Sequence, residues 1–187
     1  MSGTTPDWAT IPAPPDDGAA RHLAGQAIPS LDLPATDGTL VNLSELPGRV
    51  VVYAYPRTAD PVDGSPDGWD AIPGARGCTL QSCAFRDHHA ELCSLGVSGL
   101  FGLSTQATAY QLEAAQRLHL PFPILSDERL ALTGALDLPT FVAGGMTLLK
   151  RLTLVIERGV ISHVFYPVFP PDQNATDVVA WITRTTP

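Results

Sequence analysis

Cys78 and Cys83 stand five residues apart in the run Gly77-Cys78-Thr79-Leu80-Gln81-Ser82-Cys83-Ala84-Phe85-Arg86-Asp87. Two thiols at that separation point to redox chemistry, in which the thiolate and not the thiol is the nucleophile. Downstream of Cys78, residues 79–92 carry Leu80, Cys83, Phe85, Ala90 and Leu92 at roughly helical spacing. Cys78 is therefore expected at the start of a helix, where unpaired amides and the helix dipole favour thiolate over thiol. On a helix, residues five apart have Cα atoms roughly 8.6 Å from each other. A disulfide wants about 5.5–6 Å. A bond between Cys78 and Cys83 thus requires the first turns of that helix to unwind, which fits a catalytic cycle better than a structural cross-link.

The elements that must position these thiols alternate along the chain. A short hairpin turns at Asp37-Gly38, a pair that tolerates positive φ. The apolar stretch Val50-Val51-Val52-Tyr53-Ala54-Tyr55 reads as a buried strand. A long loop, the cysteine helix and a strand over 99–103 follow. Ala109, Leu112, Ala115 and Leu118 predict a helix over 106–118, which Pro121 ends. Then come a short strand at Ile124-Leu125, a short helix over 129–136, and a hairpin of strands 151–157 and 160–165 about Arg158-Gly159. Gly144-Gly145 reads as a turn. Asn174 or Thr176 is expected to cap a last helix running through Trp181. Alternating strands and helices closed by a hairpin and a helix imply an α/β three-layer sandwich with a central mixed sheet.

At 187 residues the chain suits one well-buried domain. Residues 1–24 are rich in proline and offer little to bury, so they read as a poorly ordered arm, packing through Trp8 and Ile11, ahead of a single domain over 25–187. A formal charge of −8 disfavours nucleic acid as a partner. No apolar run is long enough for a membrane span and no secretory signal opens the chain, so a cytoplasmic protein is expected. Three cysteines are too few, and odd in number, for a secreted disulfide framework.

Other residues have plainer readings. Cys93 falls at the end of the cysteine helix and is expected in the core. Cys78, Cys83 and His88 invite a zinc reading, but structural sites use tighter cysteine spacing and a second ligand pair. One of His88 and His89 is expected on the solvated helix surface, His163 in packing, and Arg86-Asp87 as a surface ion pair.

Cys-x-x-x-x-Cys followed by Phe-Arg-Asp, after a strand ending in Tyr-Pro, resembles the peroxiredoxins of the Q type, also called bacterioferritin-comigratory-like. Residues 28–46, Phe122-Pro123-Ile124-Leu125-Ser126-Asp127 and Arg151-Leu152-Thr153-Leu154-Val155-Ile156 resemble further parts of that family, so the likeness spans about residues 26–184. It implies a thioredoxin-like fold with an N-terminal β-hairpin and an antioxidant peroxidase that reduces hydrogen peroxide or small organic hydroperoxides. Cys78 would be the peroxidatic cysteine, Cys83 the resolving cysteine, and Arg151 the cation beside the thiolate. A thioredoxin-like or small-thiol reductant would recycle the disulfide, with no metal or organic cofactor.

The chain departs from the family pattern Pro-x-x-x-Thr/Ser-x-x-Cys. Ala75 stands at the hydroxyl position and Ala71 at the proline position, and residues 57–72 are additional, rich in Pro, Gly and Asp, and include Trp69. Thr58, Thr79, or Arg76 with backbone amides could replace the hydroxyl. Two other functions share the same thiols: a redox-sensing or partner-binding module in which the rebuilt loop has replaced turnover, and a thiol–disulfide oxidoreductase, although the latter usually carries Cys-x-x-Cys.

Overall fold

The computed structural model describes residues 6–59 and 64–185. Strands β1 (Asp32–Pro34) and β2 (Leu40–Asn42) form the opening antiparallel hairpin around Asp37-Gly38. β3 (Arg49–Ala54) follows, then helices α1 (Cys78–Asp87) and α2 (His89–Ser94), β4 (Val97–Ser104), α3 (Thr108–Arg117), β5 (Ile124–Ser126) and α4 (Ala131–Leu136). The second half holds β6 (Thr140–Ala143), β7 (Met146–Leu149), β8 (Leu152–Glu157), β9 (Val160–Phe165) and α5 (Asn174–Thr185).

The central sheet has the order β5-β4-β3-β8-β9, with β3, β4 and β5 parallel and β8 and β9 antiparallel to their neighbours. It is the mixed sheet of a thioredoxin-like fold. β3 lies in its middle and is buried on both faces, as its β-branched run requires. Because side chains alternate along a strand, Val51 and Tyr53, with Tyr55 just beyond the strand end, pack with Phe85, Leu92, Val178 and Ile182 from α1, α2 and α5. Val50, Val52 and Ala54 pack on the other side with Leu132 and Leu136 of α4 and with Leu33 of β1.

Three expectations are corrected. The single helix over 79–92 is two, because His88 adopts φ −92° and ψ 3°, and its ring is held by Glu91 at 2.9 Å through Nδ1 and by Thr176 at 3.3 Å through Nε2. That break puts Leu92 into the core and leaves Cys93 exposed, with its sulfur 3.7 Å from His89 Nε2, so Cys93 is not a core residue. Both histidines lie partly exposed at the surface, in line with the expectation, and each also has a protein partner. Finally, Asn174 is not a cap: a 3-10 turn, Pro171–Gln173, leads straight into α5 and leaves the Asn174 side chain buried inside the protein.

The proline-rich segment makes contacts along its described length. Trp8 sits in a 3-10 turn, donates from Nε1 to Asp172 at 3.0 Å and meets Phe169 edge-on; Leu23 is fully buried, while Ile11 is only half-buried. Residues 1–5 of that segment, and residues 60–63 of the additional loop, lie outside the described residues. The rest of the loop folds inward, with Trp69 buried against Phe141 of the β6–β7 hairpin, which turns at Gly144-Gly145.

Candidate active site

Cys78 is the first residue of α1 and is 4% exposed. The chain reaches it through Gly77 at φ 98°, a left-handed conformation that suits only glycine. A methyl group there would also come within 2.7 Å of Pro171 and 2.9 Å of Trp8. Glycine has no side chain to cap the helix, so the first-turn amides are left without a side-chain cap.

Arg151 comes from the far side of the sheet sequence, directly before β8, and is 3% exposed. Its Nη2 donates to the Cys78 sulfur at 3.2 Å and to the carbonyl oxygens of Gly74, Ala75 and Arg76 at 3.3, 3.3 and 3.0 Å. Nη1 donates to Gln81 Oε1. Among the described residues no carboxylate pairs with this buried guanidinium. Among those described partners the Cys78 sulfur is the one able to carry a full negative charge, and a buried cation without a counter-charge is costly. Lys150, the neighbouring residue, turns the other way and pairs with Asp17 at 2.5 Å.

Sequence reasoning missed the residues that hold Arg151. Gln81 Nε2 donates to Asn174 Oδ1 at 2.8 Å, and Thr153 Oγ1 donates to the same oxygen at 2.7 Å; all three side chains are buried. This chain of hydrogen bonds ties α1, β8 and α5 to the cation. The available signal was Gln81 at three residues past Cys78, one helical turn along the same face. Burial pushes the Tyr53 and Tyr55 phenols well above their ordinary range, so both are neutral beneath α1.

Cys83, half-buried, is also on α1, and both cysteines are free thiols. An intact helix holds their Cα atoms roughly 8.6 Å apart. Thr58 is buried and bonded through its hydroxyl to Gln106 Oε1 at 3.3 Å; Arg76 pairs with exposed Asp70 at 3.3 Å. Arg86 pairs with Asp87 as expected and also donates to the Leu118 carbonyl at 2.9 Å. His163 is packed, stacked on Trp181 at 4.5 Å, and burial lowers its pKa. Among the described residues no three His, Cys, Asp or Glu side chains gather as metal ligands. A cleft of about 280 Å³ opens onto Cys78 between the loop at Arg57, Ser65 and Trp69 and the helix start at Thr79 and Leu80.

Residues 23–180 match the Redoxin family model. Peroxiredoxin Q of Oryza sativa subsp. japonica, a chloroplastic protein, is 32% identical over 178 residues, covering 91% of this chain and 74% of its own length. Peroxiredoxin Bcp of Escherichia coli is 33% identical over 147 residues, covering 76% and 84% respectively. Among solved structures, the peroxidoxin BcpB of Mycobacterium tuberculosis superposes with a TM-score of 0.70 at 24% identity, covering 88% of this chain and 98% of its own.

Proposed function

The chain belongs to the peroxiredoxin family of thiol peroxidases, and on that premise we propose that Cys78 is its peroxidatic residue and Cys83 its resolving residue. The observation that carries the assignment is the Arg151 guanidinium, buried, without a carboxylate partner among the described residues, and 3.2 Å from the Cys78 sulfur. In the first step the thiolate attacks the terminal oxygen of a hydroperoxide. The O–O bond breaks, the sulfur is oxidised to a sulfenic acid, and the alkoxide or hydroxide that leaves takes a proton from water to become alcohol or water. In the second step α1 unwinds, the Cys83 thiol attacks the Cys78 sulfur, and water leaves as the disulfide forms. A thioredoxin-like dithiol or two small thiols then return both cysteines to the reduced state.

The substrates are hydrogen peroxide or small organic hydroperoxides, and the role is antioxidant. No helix among the described residues is long and apolar enough to cross a membrane; we place the protein in the cytoplasm, as a single domain over 25–187 preceded by the segment 1–24. Stopped-flow oxidation of the reduced protein by hydrogen peroxide, followed by mass spectrometry, tests the assignment. Wild type is expected to yield a Cys78–Cys83 disulfide. Cys78→Ser is expected to abolish turnover, and Cys83→Ser to give one sulfenic acid per chain and then stall until thiol is added. Sustained turnover by Cys78→Ser would sink the assignment.

A further inference from the structure

A hydroperoxide bound at Cys78 has two oxygens to satisfy, and the leaving one gains negative charge as the O–O bond breaks. A donor aimed at that oxygen lowers the barrier. Arg151 Nη2 is already surrounded by three carbonyls and the sulfur. The loop before Cys78 reads Gly74-Ala75-Arg76-Gly77 and contains no hydroxyl. Thr58 is committed to Gln106 and Ser82 accepts from Tyr53 at 3.1 Å.

Thr79 differs from these. It lines the same cleft as Cys78, is half-buried, and its hydroxyl has no hydrogen-bond partner among the described residues. It is the second residue of α1, whose first residues line the cleft, and Cα–Cβ bonds on a helix lean toward the N-terminus. The first-turn amides of the same helix have no side-chain cap. Among the described residues that line the cleft, the other hydroxyl without a described partner, Ser65, is exposed and belongs to the loop across the cleft.

We propose that the Thr79 hydroxyl donates to the leaving oxygen of the peroxide, and is the catalytic hydroxyl of this site. The inference rests on Cys78 being the peroxidatic residue. Thr79 moves no electrons: the sulfur loses two, the O–O bond accepts them, and the proton that completes the alcohol or water comes from solvent. The hydroxyl lowers the barrier by accepting, through its hydrogen, the charge growing on the departing oxygen.

The test compares two reactions of the reduced Cys78 thiolate, measured on a Cys83→Ser, Cys93→Ser background so that a single thiol reports. Hydrogen peroxide has a leaving oxygen, whereas iodoacetamide loses iodide and needs no such donor. One neutral hydrogen bond implies that Thr79→Val slows peroxide oxidation on the order of fivefold to tenfold. Alkylation by iodoacetamide should be unchanged, and Thr79→Ser should keep the peroxide rate. An unchanged peroxide rate in Thr79→Val overturns the proposal, as does an equal loss in both reactions, which would mean a general change in the thiolate. A background protein that alkylates at Cys78 but ignores peroxide would instead remove the peroxidatic assignment beneath it.

Discussion

Arg151 shapes the loop before Cys78 and touches the sulfur with the same nitrogen, because Nη2 donates to Gly74, Ala75, Arg76 and Cys78 together. Lysine would keep the charge but lose the planar fork that reaches loop, sulfur and Gln81 at once. Arg151→Lys is therefore expected to lower the peroxide rate constant about a hundredfold or more, with a lower melting temperature as loop carbonyls lose their donors. A variant with near-native rate would show that charge alone suffices. The nearness of Arg151 to Cys78 was legible through the family resemblance, because each stands in a recognisable stretch of sequence. Gln81, Thr153 and Asn174 were not, since a buried amide looks like a surface amide until the sheet brings α1, β8 and α5 together.

The amino-terminal segment grips the cysteine loop from two sides: Trp8 with Pro171 fills the space over Gly77, and Pro14 lies against Gly74. Unwinding α1 must loosen the first of these contacts. Trp8→Ala is expected to speed disulfide formation after the sulfenic acid has formed, and to raise hydrogen exchange at the first-turn amides of α1, without altering the oxidation step itself. An unchanged resolution rate would mean that α1 unwinds beneath an undisturbed Trp8. Farther along, Asp17 accepts from Lys150 and from the Tyr166 hydroxyl at 2.7 Å, and these bonds hold its carboxyl well below the ordinary range. A carboxyl depressed in the folded state contributes stability above its unfolded value, lost only as pH falls through the lower, folded value. This anchor should persist across neutral and mildly acidic pH, and loosening of residues 14–17 at pH 6 in exchange measurements would contradict it. Proline content suggested a loose arm packing through Trp8 and Ile11, and composition does not disclose that the body also offers partners for Pro14 and Asp17.

Across the molecule, the proposed Cys78–Cys83 disulfide competes with the packing of α1. Phe85, fully buried on α1, stacks on Tyr53 with ring centroids 4.4 Å apart. A disulfide closing so short a loop stabilises by about 2 kcal/mol in the chain-entropy model, while losing a buried phenylalanine costs about 3–5 kcal/mol. If unwinding reaches Phe85, the oxidised protein is the less stable form. Urea titrations are expected to give a lower midpoint for the disulfide form than for the dithiol, and the reverse order would mean that α1 stays packed. The sheet and helix order were readable from the alternation of apolar runs with helical spacing. The division of the cysteine helix was not, because no proline or glycine marks His88; its ring contacts to Glu91 and Thr176 make the break. That break has a consequence for a protease. Once α1 gives way, chain becomes cleavable between Thr79 and Asp87, with Arg86 as the tryptic bond, while α2 beyond His88 remains folded and protected. Limited digestion should then read the redox state of the Cys78–Cys83 pair as the presence or absence of one cut.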